Sequence, residues 1–484
     1  MIRPTGSWWT RTAATVARER MPDIVVLVPG ILGSVLQRDG KDVWAMSAGG
    51  LFRGLVSLGK SVRSLALDDD DPFAEDLGDG VTAPRLMPDL HMIPGGFWKI
   101  DGYGKVADYL KANFEVTEGE NYFEFPYDWR RDNRAHARRL QRQAHDWLGA
   151  WKEKSGNPNP KLVLICHSLG GMIARYYVEA LGGWKSTRAL ITFGAPFYGS
   201  LNAVDFLSHG FSKNIGPLKL DLWPLLRSLT SVHQLLPIYK CITTADGDLV
   251  SPVNANLPGY DPKWLEHLTS YHREIDDEEK KNREDPGWES AGMEIRPIVG
   301  IDQPTNTSGT IVGDQVQLNR DDQGDSTVPR ISAAISHTQE SAMYTPERHA
   351  SIQNFETALV HLKGAVSAIY GPEIDDFRAV HDVWFSLDMD DVYASAENVS
   401  LDLSMRALAG EGQLPTGMAT VTLVDRDTNE VRARRDVELS REPRTVDLGP
   451  LPHGTYELRV EGPGSAAPLQ DVFVVFDEVE PDAE

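Results

Sequence analysis

Residues 161–177, KLVLICHSLGGMIARYY, constrain the fold of this 484-residue chain more than any other stretch. An unbroken apolar run passes through a serine and two glycines straight into a helical pattern. Runs of valine, isoleucine and leucine without polar alternation belong to strands covered on both faces by helices, as in a parallel sheet. DIVVLVPG at 23–30 has the same character, and YFEFPYDW (122–129) and ALITFGAP (189–196) read as further strand segments. Between them GKVADYLKANF (104–114) and RAHARRLQRQAHDWLGAWKEK (134–154) space their apolar residues three and four apart. Strand and helix therefore alternate, which predicts an α/β domain with a mostly parallel sheet.

The chain is too long for one core, so two domains are expected. The α/β domain is placed at 21–372 after an N-terminal extension, 1–20. It carries insertions near 47–100 and 200–290. Two parts of them, 47–66 and 201–240, are apolar at helical spacing, and EIDDEEKKNREDPG (274–287) is a charge run expected as a solvated loop. From 378 to 477 the pattern changes to short alternating segments such as VSLDLSM and GTYELRVEG, bounded by Gly, Pro, Asn or Asp, which predicts an all-β sandwich. The acidic end, 478–484, is expected to fray.

Lysine and arginine total 48 against 71 acidic residues, a formal charge of −23 that argues against nucleic acid as a partner. Two cysteines, Cys166 and Cys241, are too few for a disulfide framework and are expected as free thiols. No segment reads as a signal-peptide core or a membrane span, so the expected location is the cytoplasm.

A serine hydroxyl is a poor nucleophile unless a base removes its proton and donors stabilise the oxyanion it generates. A sharp strand-to-helix turn would expose Ser168, present the backbone N–H of Leu169, and aim the helix N-terminus at the same point. Such a turn needs small neighbours. Gly170 is one, and Cys166 stands where the G-x-S-x-G pattern has its first glycine. In this fold an acid and then a histidine follow in chain order. The acid is assigned to Asp325 in DDQGDSTVP (321–329), with Asp321 and Asp322 as alternatives. The base is His349 in TPERHASIQN (345–354). A second oxyanion donor is expected from VLVPGILGS (26–34), through the N–H of Leu32 or Ile31.

Taken together, VLVPGILGS with Trp44, FPYDWRRDN (125–133), CHSLGG, FGAPFYGS (193–200), SVHQLLP (231–237) and GDSTVP, in that order, resemble the signature segments of the lecithin:cholesterol acyltransferase and lysosomal phospholipase A family. The resemblance runs from about residue 21 to 370. It implies an α/β-hydrolase fold with lid or cap insertions, with Ser168 as nucleophile, Asp325 as acid, His349 as base, and the N–H groups of Leu32 and Leu169 as oxyanion donors. It also implies that Asp128 and Arg130 are buried structural partners. Secreted members carry signal peptides and disulfides, neither of which is expected here, and Ile31 occupies a place where some relatives have cysteine. Nothing in the resemblance covers the C-terminal sandwich.

The expected function is a serine-dependent lipid-ester hydrolase or acyltransferase working through an acyl-enzyme, without metal or organic cofactor. The alternatives are an esterase for small soluble esters and a non-catalytic binding protein on the same fold. The apolar band 222–236 is expected either to line an acyl groove and touch a membrane surface transiently, or to pack as core. The sandwich is expected to brace the catalytic domain or to bind a protein partner.

Overall fold

The computed structural model describes residues 18–45, 65–87, 91–92, 99–100, 102–208, 212–215, 218–221, 223–258, 260, 263–370, 383–407, 417–462 and 468–476. Most of the N-terminal extension, the apolar insertion over 47–64, the domain boundary near 372–378 and the acidic tail lie outside the described residues.

Six parallel strands form the central sheet: β1 (Ile24–Val28), β2 (Tyr122–Glu124), β3 (Leu162–His167), β4 (Thr187–Phe193), β5 (Glu294–Gly300) and, further along, Met343–Thr345. β1 and β3 are buried at every position, as apolar runs without alternation require. β5 was not foreseen, because MEIRPIVG carries Glu294, Arg296 and Pro297. Yet Pro297 sits opposite Thr192 in a strand flanked on both sides.

After β5 the chain leaves the sheet for an antiparallel hairpin, β6 (Thr305–Val312) and β7 (Gln315–Asp321), and comes back at Asp325 beside Gln303. It then enters the sixth strand, β8 (Met343–Thr345). The sheet order is β8-β5-β4-β3-β1-β2.

The helices follow the apolar spacing. α1 covers Gly104–Asn113 and α2 covers Asn133–Ser155, the latter capped by the Asp132 carboxylate accepting from the Arg134 N–H at 2.8 Å and ended by Gly156 at φ 70°. α3 (Leu169–Ala180) leaves directly from Ser168. The charge run at 274–287 corrects the expectation of a loop, because it is helical to Glu284 within α4 (Lys263–Glu284). Leu268, Tyr271, His272 and Ile275 form a buried stripe three and four residues apart, and the charges between them reach neighbouring helices. Glu279 pairs with Arg175 at 2.9 Å, and Glu274 with Arg134 at 3.0 Å. Counting charges hid this stripe. α5 spans Glu356–Tyr370.

In the apolar band, short helices at Trp223–Ser228 and Thr230–Gln234 bury Leu225, Leu226, Leu229, Val232, Leu235 and Leu236 in the main core. Leu222 lies outside the described residues. Cys166 and Cys241 are buried free thiols.

The C-terminal segment is all-β. One sheet holds β9 (Val383–Asp388), β11 (Asn398–Ala407) and β14 (Arg444–Pro450); the other holds β10 (Val392–Ala394), β12 (Gly417–Asp425), β13 (Glu430–Leu439), β15 (Gly454–Glu461) and β16 (Leu469–Phe476). β16 shows the two-residue period of a strand packed on both faces. Leu469, Phe473 and Val475 join the sandwich core, whereas Val472, Val474 and Phe476 join the core of the α/β domain.

Candidate active site

A parallel sheet collects its loops at the carboxyl ends of its strands. β3 ends at Ser168, β1 feeds the turn Gly30–Gly33, β4 ends at Gly194, β5 leads to Gln303, and β8 leads to His349. Asp325 arrives indirectly, by way of the β6–β7 hairpin.

Ser168 has φ 50° and ψ −125°, a conformation that costs a non-glycine residue on the order of 1–3 kcal/mol. The strain is the mark of a strand-to-helix elbow. Gly170 permits it, since a Cβ there would stand 2.4 Å from the Pro29 carbonyl oxygen. Cys166, in the place of the first glycine, is fully buried, and burial holds its thiol well above the ordinary range.

Three sequence-predicted residues come together. His349 Nε2 lies 2.9 Å from Ser168 Oγ, and His349 Nδ1 lies 2.8 Å from Asp325 Oδ2. The Asp325 Oδ1 accepts the backbone N–H groups of Thr327 (3.0 Å) and Val328 (2.6 Å). The His349 N–H donates to the Asp325 carbonyl at 2.7 Å, so the loops of Asp325 and His349 are joined by backbone as well as side chain. All three residues are buried. Gly194 makes room for the pair: at φ 55°, a Cβ would meet Asp325 Oδ2 at 2.8 Å and His349 Nδ1 at 3.0 Å. The alternative acids are engaged elsewhere. Asp321 accepts from the Thr307 hydroxyl, and Asp322 pairs with Arg406 at 2.6 Å.

Leu32, with φ 63°, is the third residue of a turn closed by the Gly33 N–H donating to the Gly30 carbonyl at 3.1 Å. Among the described residues, neither the Leu32 N–H nor the Leu169 N–H donates to a protein acceptor, which leaves both free for an oxyanion. Four buried aromatic residues hold the turn. Tyr127 donates its hydroxyl to the Pro29 carbonyl (2.9 Å), Trp44 its indole N–H to the Leu32 carbonyl (3.2 Å), and Trp129 its own to the Ser34 carbonyl (3.2 Å). The Gly30 N–H donates to the Tyr103 hydroxyl oxygen at 2.7 Å.

Tyr103 extends this into a relay that sequence reasoning missed. Its hydroxyl lies 2.9 Å from His167 Nδ1, and His167 Nε2 lies 3.0 Å from the His349 carbonyl. A carbonyl can only accept, so Nε2 carries the proton, Nδ1 accepts, and Tyr103 donates to it. Burial, and then the proximity of His349, push His167 down to about 3, so the ring is neutral. The relay ties the turn after β1, the elbow and the base loop into one buried unit. Its only sequence sign is a tyrosine ahead of α1 and a histidine beside the serine.

Asp128 and Arg130 also behave as a buried pair. The Arg130 guanidinium, fully buried, reaches Asp128 through Nε (2.8 Å) and Nη2 (2.6 Å) and also pairs with Asp79 at 2.8 Å. The Asp128 carbonyl lies 2.6 Å from His136 Nε2. This network holds the residues on either side of Trp129.

The family model for lecithin:cholesterol acyltransferase matches residues 97–354. A search of curated proteins finds no match. Among solved structures, the propeptide form of lipase BlEst2 from Bacillus licheniformis is similar at 10% identity over 95% of this chain and 94% of that one, with a TM-score of 0.31. Its mature form is similar at 12% identity over 72% of this chain and 91% of that one, TM-score 0.27. Phospholipase PlaB from Legionella pneumophila is similar at 10% identity over 94% and 92%, TM-score 0.22.

Proposed function

Because the chain belongs to the lecithin:cholesterol acyltransferase family, we propose that it is a serine-dependent hydrolase or acyltransferase of lipid esters. The observation that carries the reading is the linear contact from Ser168 Oγ through His349 to Asp325, closed at 2.9 and 2.8 Å, beside two free backbone N–H groups.

In this reading His349 Nε2 takes the proton of Ser168 Oγ as the oxygen attacks the ester carbonyl. Asp325 keeps the Nδ1 proton in place and offsets the imidazolium charge. The N–H groups of Leu32 and Leu169 stabilise the tetrahedral oxyanion, and collapse expels the alcohol, which receives the proton from Nε2. Water or a second alcohol, deprotonated by His349, then attacks the acyl-enzyme and releases Ser168. Hydrolysis and transfer differ only in that second nucleophile. The chain's own side chains and backbone carry every step.

One observation favours a second reading, an esterase of small soluble esters. The apolar band over 223–236 is buried as core, so it is not an open acyl groove among the described residues.

Fatty-acid release from phosphatidylcholine liposomes by purified protein, with Ser168→Ala alongside, separates these readings. Serine-dependent release supports the lipid enzyme. No release, combined with fluorophosphonate labelling of Ser168, moves the substrate to small esters. No labelling of folded protein removes both.

A further inference from the structure

We infer that the C-terminal β-sandwich is part of the catalytic apparatus, because it holds the two loops that carry Asp325 and His349 in register. The inference rests on the acyl-transfer reading above and concerns positioning residues, not groups that touch substrate.

The polar contacts between the sandwich and the α/β domain cluster around the acid and the base. Arg348 immediately precedes His349. Its Nη1 reaches Asp471 Oδ2 in β16 at 2.5 Å and Asp391 Oδ1, just ahead of β10, at 3.5 Å. Asp471 is 2% exposed, and its second oxygen accepts the Val472 N–H at 2.9 Å. A guanidinium this well enclosed, bound to a buried carboxylate, can neither swing to solvent nor change partner cheaply, so the residue after it inherits its position.

Gln303 does the same for the acid. It is fully buried, and its backbone N–H donates to the Gly324 carbonyl, one residue before Asp325, at 3.0 Å. Its side-chain Nε2 donates to the Pro346 carbonyl in the base loop at 2.8 Å and contacts the Phe385 carbonyl of β9 at 3.4 Å. Its Oε1 faces the Leu387 N–H at 3.4 Å. One amide side chain therefore bridges the base loop and a sandwich strand while its own backbone holds the acid loop. Arg406 of β11 adds the pair with Asp322 at 2.6 Å.

A tethered bystander domain would have no reason to place its polar contacts at 303, 322 and 348. The apolar seam of Val472, Val474 and Phe476 within the main core makes the arrangement rigid rather than incidental. Catalytic geometry tolerates displacements of only about 0.5 Å, so a small release of Arg348 or Gln303 should appear in the chemical step before it appears in binding.

The test uses full-length protein carrying Asp471→Asn, Arg348→Met or Gln303→Leu. Asp388→Asn serves as control, because it weakens an exposed pair on the same seam, Arg320 with Asp388 at 3.7 Å. Turnover of an ester substrate, fluorophosphonate labelling rate and thermal midpoint are measured for each. The expected result is a fall of at least ten-fold in kcat and labelling rate with KM within two-fold, while Asp388→Asn stays within two-fold of wild type throughout. Folded variants that keep wild-type kcat and labelling would overturn the inference. If Arg348→Met does not fold, Arg348→Lys decides, since it keeps the charge and loses the fork; it should still lower kcat, and wild-type kcat there counts against us. If the wild type itself neither labels nor turns over, the acyl-transfer reading has failed, and the clamp is read by NMR instead. The downfield Nδ1 proton of His349 should be sharp in wild type and broadened or lost in Asp471→Asn, and an unchanged resonance rejects the clamp.

Discussion

Ser168 and Leu32 both sit at positive φ, at 50° and 63°, and neither is glycine. Their strain persists because neighbours hold it: Gly170 and Gly30 remove the Cβ atoms that would collide with the loop and the elbow, and Tyr103, Trp44, Tyr127 and Trp129 hold the turn. Tyr103→Phe tests this at one oxygen. It leaves the Gly30 N–H and His167 Nδ1 buried without a partner, so unfolding free energy should fall by about 1–3 kcal/mol in urea titration, with kcat falling and KM little changed. Unchanged stability would mean that water replaces the hydroxyl. Asp325→Asn should lower kcat on the order of 10⁴-fold by presenting His349 in the wrong tautomer. Wild-type turnover there would exclude Asp325 as the acid, although Asp321 and Asp322 are already bound to Thr307 and Arg406. Ser168, Asp325 and His349 were legible from order and local pattern. Tyr103, Gln303 and Arg348 were not, because a tyrosine, glutamine or arginine gives no local sign of the distant groups it will meet.

Strands β1 and β3 announced themselves because a strand buried on both faces has no polar alternation. β5 and β8, which lead to the loops of Asp325 and His349, did not: β5 carries two charges in its first three residues and a proline at its centre, and β8 is three residues long. α4 hid its apolar stripe among charges that are themselves structural. The start of α3 can be tested directly. Gly170→Ala places a Cβ 2.4 Å from the Pro29 carbonyl oxygen, against backbone that cannot yield without moving the turn. Overpacking of this kind costs about 1–3 kcal/mol, and thermal melts should show it together with a loss of Ser168 labelling. Normal labelling at reduced stability would show that the turn shifts without disturbing the serine.

Across the whole molecule, buried histidines make stability depend on pH. His167 and His272 are pushed down to about 3, and His136 well below its ordinary value, in each case chiefly by burial. Below an ordinary value of 6.5 the unfolded chain therefore binds protons that the folded chain refuses. Their contribution is fully present above that pH and falls as pH drops, by about 1.4 kcal/mol per unit for each histidine. Glu179 and Asp302, raised by burial to about 6, act in the opposite direction below that pH and offset part of the loss. The urea midpoint should accordingly fall between pH 7 and pH 5, and a flat profile would mean that the three rings accept protons in place.

Two things about this protein could be read from the chain alone: a parallel α/β core, and a serine, an aspartate and a histidine that the fold brings together. Both are local properties, expressed in runs of apolar residues and in the small residues around a sharp turn. The tertiary structure decided what no local pattern encodes. It set which groups Tyr103 and His167 face, turned a charge run into a packed helix, and seated the sandwich against residues 303 and 348. Each of these depends on groups more than sixty positions apart being brought within hydrogen-bond or packing distance, and only the folded chain sets those distances.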